Sequence, residues 1–98
     1  MPKVCREGDL GATGHGCSAF IGVFATQGSV LANGIPLNRV RDPAMPHTIP
    51  TPVCTPHPSK INRASRTVFA VGKPVARVGD SFDFGKMIKG SGNVFAGG

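Results

Sequence analysis

The chain has no tryptophan, no tyrosine and only 6 phenylalanines among 98 residues, against 14 glycines. A chain of this length buries roughly 60–65% of its unfolded surface, and glycine loses the most backbone freedom on ordering. Apolar burial alone is a thin basis for a fold, so a metal, a disulfide or a partner is expected to help. No apolar run approaches the ~20 residues that cross a bilayer. No charged segment followed by an apolar one marks a secretory signal, and the three cysteines cannot all pair. The expectation is synthesis in the cytoplasm with reduced thiols. Acidic residues are scarce too: 5 Asp and Glu against 11 Lys and Arg leave a charge of +6. The basic residues form no run and lack the interleaved aromatics that stack on bases, so they read as solvated surface. A zinc-containing nucleic-acid-binding module is the alternative function this charge leaves open.

Helical periodicity is nearly absent; only residues 59–70 carry a weak stripe. Short apolar runs punctuated by Gly, Pro, Asn and Asp are the pattern of an all-β chain, here one domain spanning 1–98.

What is present is a repeat. Arg-x-x-Asp occurs as Arg6 to Asp9, Arg39 to Asp42 and Arg77 to Asp80. The last two end longer stretches, starting at Val30 and Val68, that share Val, Ala, Gly, Pro, Arg, Val and Asp in register. Three related units in so short a chain imply an approximate threefold axis. Asn33-Gly34 and Val71-Gly72 sit between apolar runs and predict hairpins, 29–33 with 37–41 and 67–71 with 75–79. Residues 4–9 look like a second arm without a first, and 93–96 like a first arm without a second, so the ends are expected to pair and close the ring. Residues 43–58 hold six of the nine prolines and read as a rigid extended loop rather than a sheet interior. Asp9, Asp42 and Asp80 read equally as turn formers or as partners of the arginine three before, accepting backbone N–H groups of the following turn.

Every histidine lies in a Gly- or Pro-rich loop. His15 follows Asp9 by six residues and His47 follows Asp42 by five, so the repeat brings both towards one axis. Cys54 and His57 form C-x-x-H in a tight loop. Three imidazoles and a thiolate make a closed tetrahedral set suited to structural zinc, with no open position to activate water; iron accepts the same donors. Cys17, beside His15, is the competing thiolate, whereas Cys5 belongs to a strand and the core. Loading such a site releases protons and weakens as pH falls through about 6. A small metallo-hydrolase using Asp9 or Asp42 as base is a third reading, and it would need an open metal position.

These residues resemble the PAAR-repeat family. The tetrapeptide that names it stands here as Pro36-Leu37-Asn38-Arg39 and Pro74-Val75-Ala76-Arg77; Gly8-Asp9 with Gly14-His15-Gly16 resembles its opening, and residues 90–98 its end. The resemblance implies a small pseudo-threefold β cone, with long Pro/Gly-rich loops and a metal near the vertex. Its base would dock on the blunt end of a trimeric VgrG or phage spike β-helix, one copy per trimer. His15, His47, Cys54 and His57 would hold zinc. It implies a spike tip of type VI secretion systems or contractile phage tails, made in the cytoplasm and delivered outside the cell. Such a tip contacts the target membrane transiently and has no catalytic residue, nucleic acid or small-molecule substrate. Two departures stand out: Arg41 occupies the place of Gly79, and no histidine follows Asp80.

Overall fold

The computed structural model describes residues 1–45, 47–50 and 54–97, and between 47 and 56 only the side chain of Thr48. Among these residues there is no helix, and every element is a short antiparallel strand. The strands are β1 (Leu10–Ala12), β2 (Phe20–Gly22), β3 (Leu31–Ala32), β4 (Ile35–Pro36), β5 (His47–Pro50), β6 (Cys54–His57), β7 (Phe69–Ala70), β8 (Lys73–Pro74), β9 (Ser81–Phe82) and β10 (Gly85–Met87). β2-β1-β10-β9 form one sheet; β3–β4, β5–β6 and β7–β8 are separate pairs. The molecule measures 39 × 23 × 22 Å, and its two nearly equal short axes are compatible with a threefold wedge.

The repeat is expressed as a ring of backbone hydrogen bonds. Cys5 N–H donates to Ala76 O (2.9 Å), Ala76 N–H to Asn38 O (3.0 Å) and Asn38 N–H to Cys5 O (2.9 Å), so the middle residues of the three units close on one another. A second ring surrounds it: Glu7 N–H to Pro36 O, Val40 N–H to Pro74 O and Val78 N–H to Lys3 O, each 2.9 Å. Each unit also has its hairpin. Leu37 N–H donates to Val30 O and Val75 N–H to Val68 O, and at the same place Val4 N–H donates to Val94 O. The ends thus supply the third hairpin, with Lys3 paired to Phe95 and Ala96 N–H donating to Pro2 O. The two ends of the chain therefore pair with each other in this ring.

The Arg-x-x-Asp segments are turns that brace these hairpins. The Oδ2 atoms of Asp9, Asp42 and Asp80 accept the backbone N–H of Arg6, Arg39 and Arg77, each at 2.8 Å. The carboxylate therefore closes back on the residue three before, not on the turn that follows. Each guanidinium reaches the tip of a neighbouring hairpin: Arg6 to Asn33 Oδ1, Arg39 to Val71 O and Arg77 to Gly97 O. Only Arg77 grips its own aspartate through two nitrogens, both at 3.0 Å.

Two apolar layers flank the ring. One is made of Val4, Leu37 and Val75 with Ala32, Ala70 and Ala96, three equivalent pairs. The other holds Cys5, Ala76, Val23, Ile61, Met87 and Phe82. Val23, Ile61 and Met87 are equivalent, each donating its N–H to the carbonyl of Asp9, Asp42 or Asp80. They are bridged to Ala44, Phe82 and Gly11. At this level one phenylalanine fills the centre, and the matching positions are alanine and glycine; a Cβ on Gly11 would fall on the Phe82 ring.

Two expectations are corrected. The second hairpin arms begin at Ile35 and Lys73, because two-residue turns pair Ala32 with Ile35 and Ala70 with Lys73. The proline-rich stretch is not a plain loop: β5 and β6 pair, with Thr48 opposite Pro56 and Pro50 opposite Cys54. A two-stranded ribbon has only edges, where a missing N–H is tolerated.

Both tight turns need two residues of positive φ. Asn33 (54°) and Gly34 (78°) suit this; Val71 (49°) before Gly72 (79°) does not, being β-branched. Val71→Asn is therefore expected to stabilise the fold by about 1 kcal/mol, read as a raised melting temperature. A lowered one would show that the exposed Val71 side chain does more than fill a turn. Arg41 has the same conflict, with φ of 69° where the equivalent Gly8 and Gly79 stand at 87° and 94°.

Candidate metal centre

The strand after Asp9 runs into a loop carrying His15, and the strand after Asp80 into the turn Asp83-Phe84 between β9 and β10. These two pieces of chain meet backbone to backbone. Phe84 N–H donates to Thr13 O at 2.9 Å. Gly14 has φ of 79° and leaves no room for a Cβ, which would lie 2.6 Å from the Phe84 carbonyl; a Cβ on Gly85 would fall on the Ala12 carbonyl oxygen. Two glycines are thus what lets Asp83 approach His15. The His15 loop is closed internally by the Thr13 hydroxyl donating to Ser18 O at 2.7 Å, and tied to β5 by Thr48 N–H donating to Ser18 Oγ at 3.2 Å.

Asp83 lies between two imidazoles. His15 Nε2 is 2.8 Å from its Oδ2, and His57 Nε2 is 3.0 Å from its Oδ1. The Asp83 side chain is 4% exposed. The histidine rings meet edge to face, centroids 5.3 Å apart, and Phe84 stacks on His57 at 6.2 Å. One donor atom from each of His15, His57 and Asp83 lies within 4.8 Å of the others. Two imidazole nitrogens and a buried carboxylate oxygen are donors that hold a divalent cation.

His15 Nδ1 is 2.9 Å from Gly16 O, and a carbonyl only accepts, so this nitrogen carries a hydrogen. Nε2 remains to face either a proton or an ion. The Gly16 carbonyl, and after it Asp83, hold the His15 pKa above its ordinary 6.5. The sign follows. A raised folded pKa means protonated His15 contributes stability that is fully present below 6.5 and lost as pH rises through the folded value. An ion needs the same nitrogen bare, so proton competition begins at higher pH than for an ordinary imidazole. In the metal-free protein the His15 ring signal in NMR is expected to titrate above pH 6.5; titration below that value would contradict the Gly16 and Asp83 contacts.

His15 and His57 are brought together. His47 and Cys54 have their side chains outside the described residues; their backbones lie in β5 and β6, with His47 directly opposite His57. Cys54 and His57 thus stand on one strand, not in a tight loop. Cys17 is disulfide-bonded, so in this form it offers no thiolate and the expectation of reduced thiols is not met there. Cys5 is a buried free thiol whose pKa is pushed well up by burial and then by Asp9 and Asp80, which leaves it inert. Asp83 is not among the ligands the sequence predicts, because no histidine follows Asp80. The usable signal was the register: the first two units place a donor in the loop after their aspartate, and Asp83 does so in the third.

Among the described residues no helix is long and apolar enough to cross a membrane. A family profile described as PAAR motif matches residues 13–85 of the 98-residue chain. No curated protein matches it significantly.

Proposed function

Because this chain belongs to the PAAR-motif family, we propose that it is a spike tip of a type VI secretion system or contractile phage tail, the whole of 1–98 acting as one domain. The tip caps a trimeric VgrG or phage β-helical spike, one copy per trimer, and reaches the outside of the cell with it to breach a target membrane. The observation that carries this reading is the threefold ring closed by the two ends of one chain. Its three hairpins turn Ala32, Ala70 and Ala96 inwards and leave their strand neighbours Leu31, Phe69 and Phe95 exposed by 51, 58 and 48%. Successive residues of a strand face opposite sides, so these three form a repeated apolar surface, which is what the blunt end of a trimer can match. The basic residues that do repeat, Arg6, Arg39 and Arg77, are committed to neighbouring hairpins, which favours the tip over the nucleic-acid reading.

The metal is zinc in this reading, held by His15, His47, Cys54 and His57 in the thiol-reduced protein. Support comes from the approach of His15 and His57 and from the His47–His57 register, since residues directly opposed in an antiparallel pair share a face. Bound zinc supplies a closed structural link between loops and no catalysis. The test is native mass spectrometry of the chain mixed with the trimeric β-helical spike from the same machine. One chain per three spike chains is expected; no complex, or three chains per trimer, would overturn the tip reading.

A further inference from the structure

We propose that Asp83 is itself a ligand of the ion, so that the third unit contributes to the centre as the first two do. This rests on the metal reading above and alters its ligand set in one place: Asp83 joins the three imidazoles where that reading has Cys54.

The direction of approach carries the inference. A carboxylate that merely orients a metal-bound histidine accepts a hydrogen bond from the ring nitrogen that does not bind the ion. Asp83 does the opposite. On His15 the non-binding nitrogen is already committed to Gly16 O, and Asp83 faces Nε2, the atom an ion would take. On His57 it again addresses Nε2. Asp83 therefore stands where the ion's coordination sphere must be.

Burial and chain geometry agree. The side chain is 4% exposed, so its oxygens take their partners within the protein rather than from water. The turn that carries it is held in place: Asp83 takes φ of 53°, Asn62 Nδ2 donates to its carbonyl at 3.3 Å, and Gly14 and Gly85 admit no side chain. Donors around an ion at about 2.0–2.1 Å stand about 3.3 Å apart. Moving apart by about half an ångström from 2.8 Å and 3.0 Å would admit the ion between them. The centre then accepts zinc and the neighbouring divalent metals that favour nitrogen and oxygen.

The experiment compares the full-length reduced chain with its Asp83→Asn variant, titrating cobalt(II) and zinc and recording the visible cobalt spectrum and the bound-metal stoichiometry. Asparagine keeps the shape and hydrogen-bonding reach of the side chain. The expected result is affinity lowered by about 10-fold or more with an altered cobalt spectrum. As a measurement free of any folding effect, the cobalt-loaded parent should show strongly shifted NMR signals for the Asp83 Cβ protons. A parent that binds while Asp83→Asn binds equally well with an unchanged spectrum, or unshifted Cβ protons, overturns the inference and leaves the metal reading standing. A parent that takes up no ion overturns both.

Discussion

Removing the metal from the reduced protein is expected to lower its melting temperature by about 15–30 °C while leaving the ring folded. The magnitude comes from partition. Structural zinc contributes about 10–16 kcal/mol in finger peptides that have no other core. Here two buried layers and two hydrogen-bonded rings that include none of the proposed ligands also hold the fold, so a loss of roughly 4 kcal/mol is expected, and a domain of this size shifts by about 4–8 °C per kcal/mol. The effect is therefore local. Amide exchange should quicken in residues 13–19 and 82–85, whereas the N–H groups of Cys5, Asn38 and Ala76 keep their protection. An unchanged melting curve after verified metal loss would remove the structural role of the ion. Equal loss of protection at Cys5, Asn38 and Ala76 would show that ring and centre unfold as one unit.

What was legible in the sequence and what was not divide along a physical line. The repeated Gly, Pro, Arg and Asp fix backbone conformation, and backbone conformation is what the threefold rings are made of. Hence the two internal hairpins and the pairing of 93–96 with the N-terminal arm could be read directly, and the structure has all three. Side-chain volumes at the axis broke the repeat and hid it: Gly11, Ala44 and Phe82 share no chemistry, and only their packing shows that one ring serves three positions. Asp83 was hidden for a similar reason, since a carboxylate and a histidine are alike as donors and unlike as letters. The proline-rich segment misled because proline removes a donor from a ladder, a penalty that a two-stranded ribbon with open edges barely incurs. Nor did the sequence separate docking residues from core. Ala32 and Leu31 are both apolar, and only the direction of the strand places one inside and one out.

That last separation leads to the second large effect. Replacing Leu31, Phe69 and Phe95 together by aspartate is expected to abolish binding to the trimeric spike, by a factor of about 10³ or more, without unfolding the tip. Each side chain is about half exposed and precedes an inward-facing alanine on its strand, so the core layer of Ala32, Ala70 and Ala96 is untouched. In the complex each aspartate would be taken out of water against an apolar partner, costing about 2 kcal/mol or more per site when no cation answers it. Three such costs on one rigid ring exceed what about 4 kcal/mol, a thousandfold in affinity, represents. The single Phe69→Asp variant should lose about a third of this free energy, because the three positions are equivalent on the spike side as well. Phe20 is the control: 60% exposed on β2, it lies outside the three hairpins that carry Leu31, Phe69 and Phe95. Phe20→Asp should leave spike binding unchanged. If it weakened binding as much as Phe69→Asp, exposure rather than threefold repetition would govern docking, and the surface of Leu31, Phe69 and Phe95 would lose its claim to be the base.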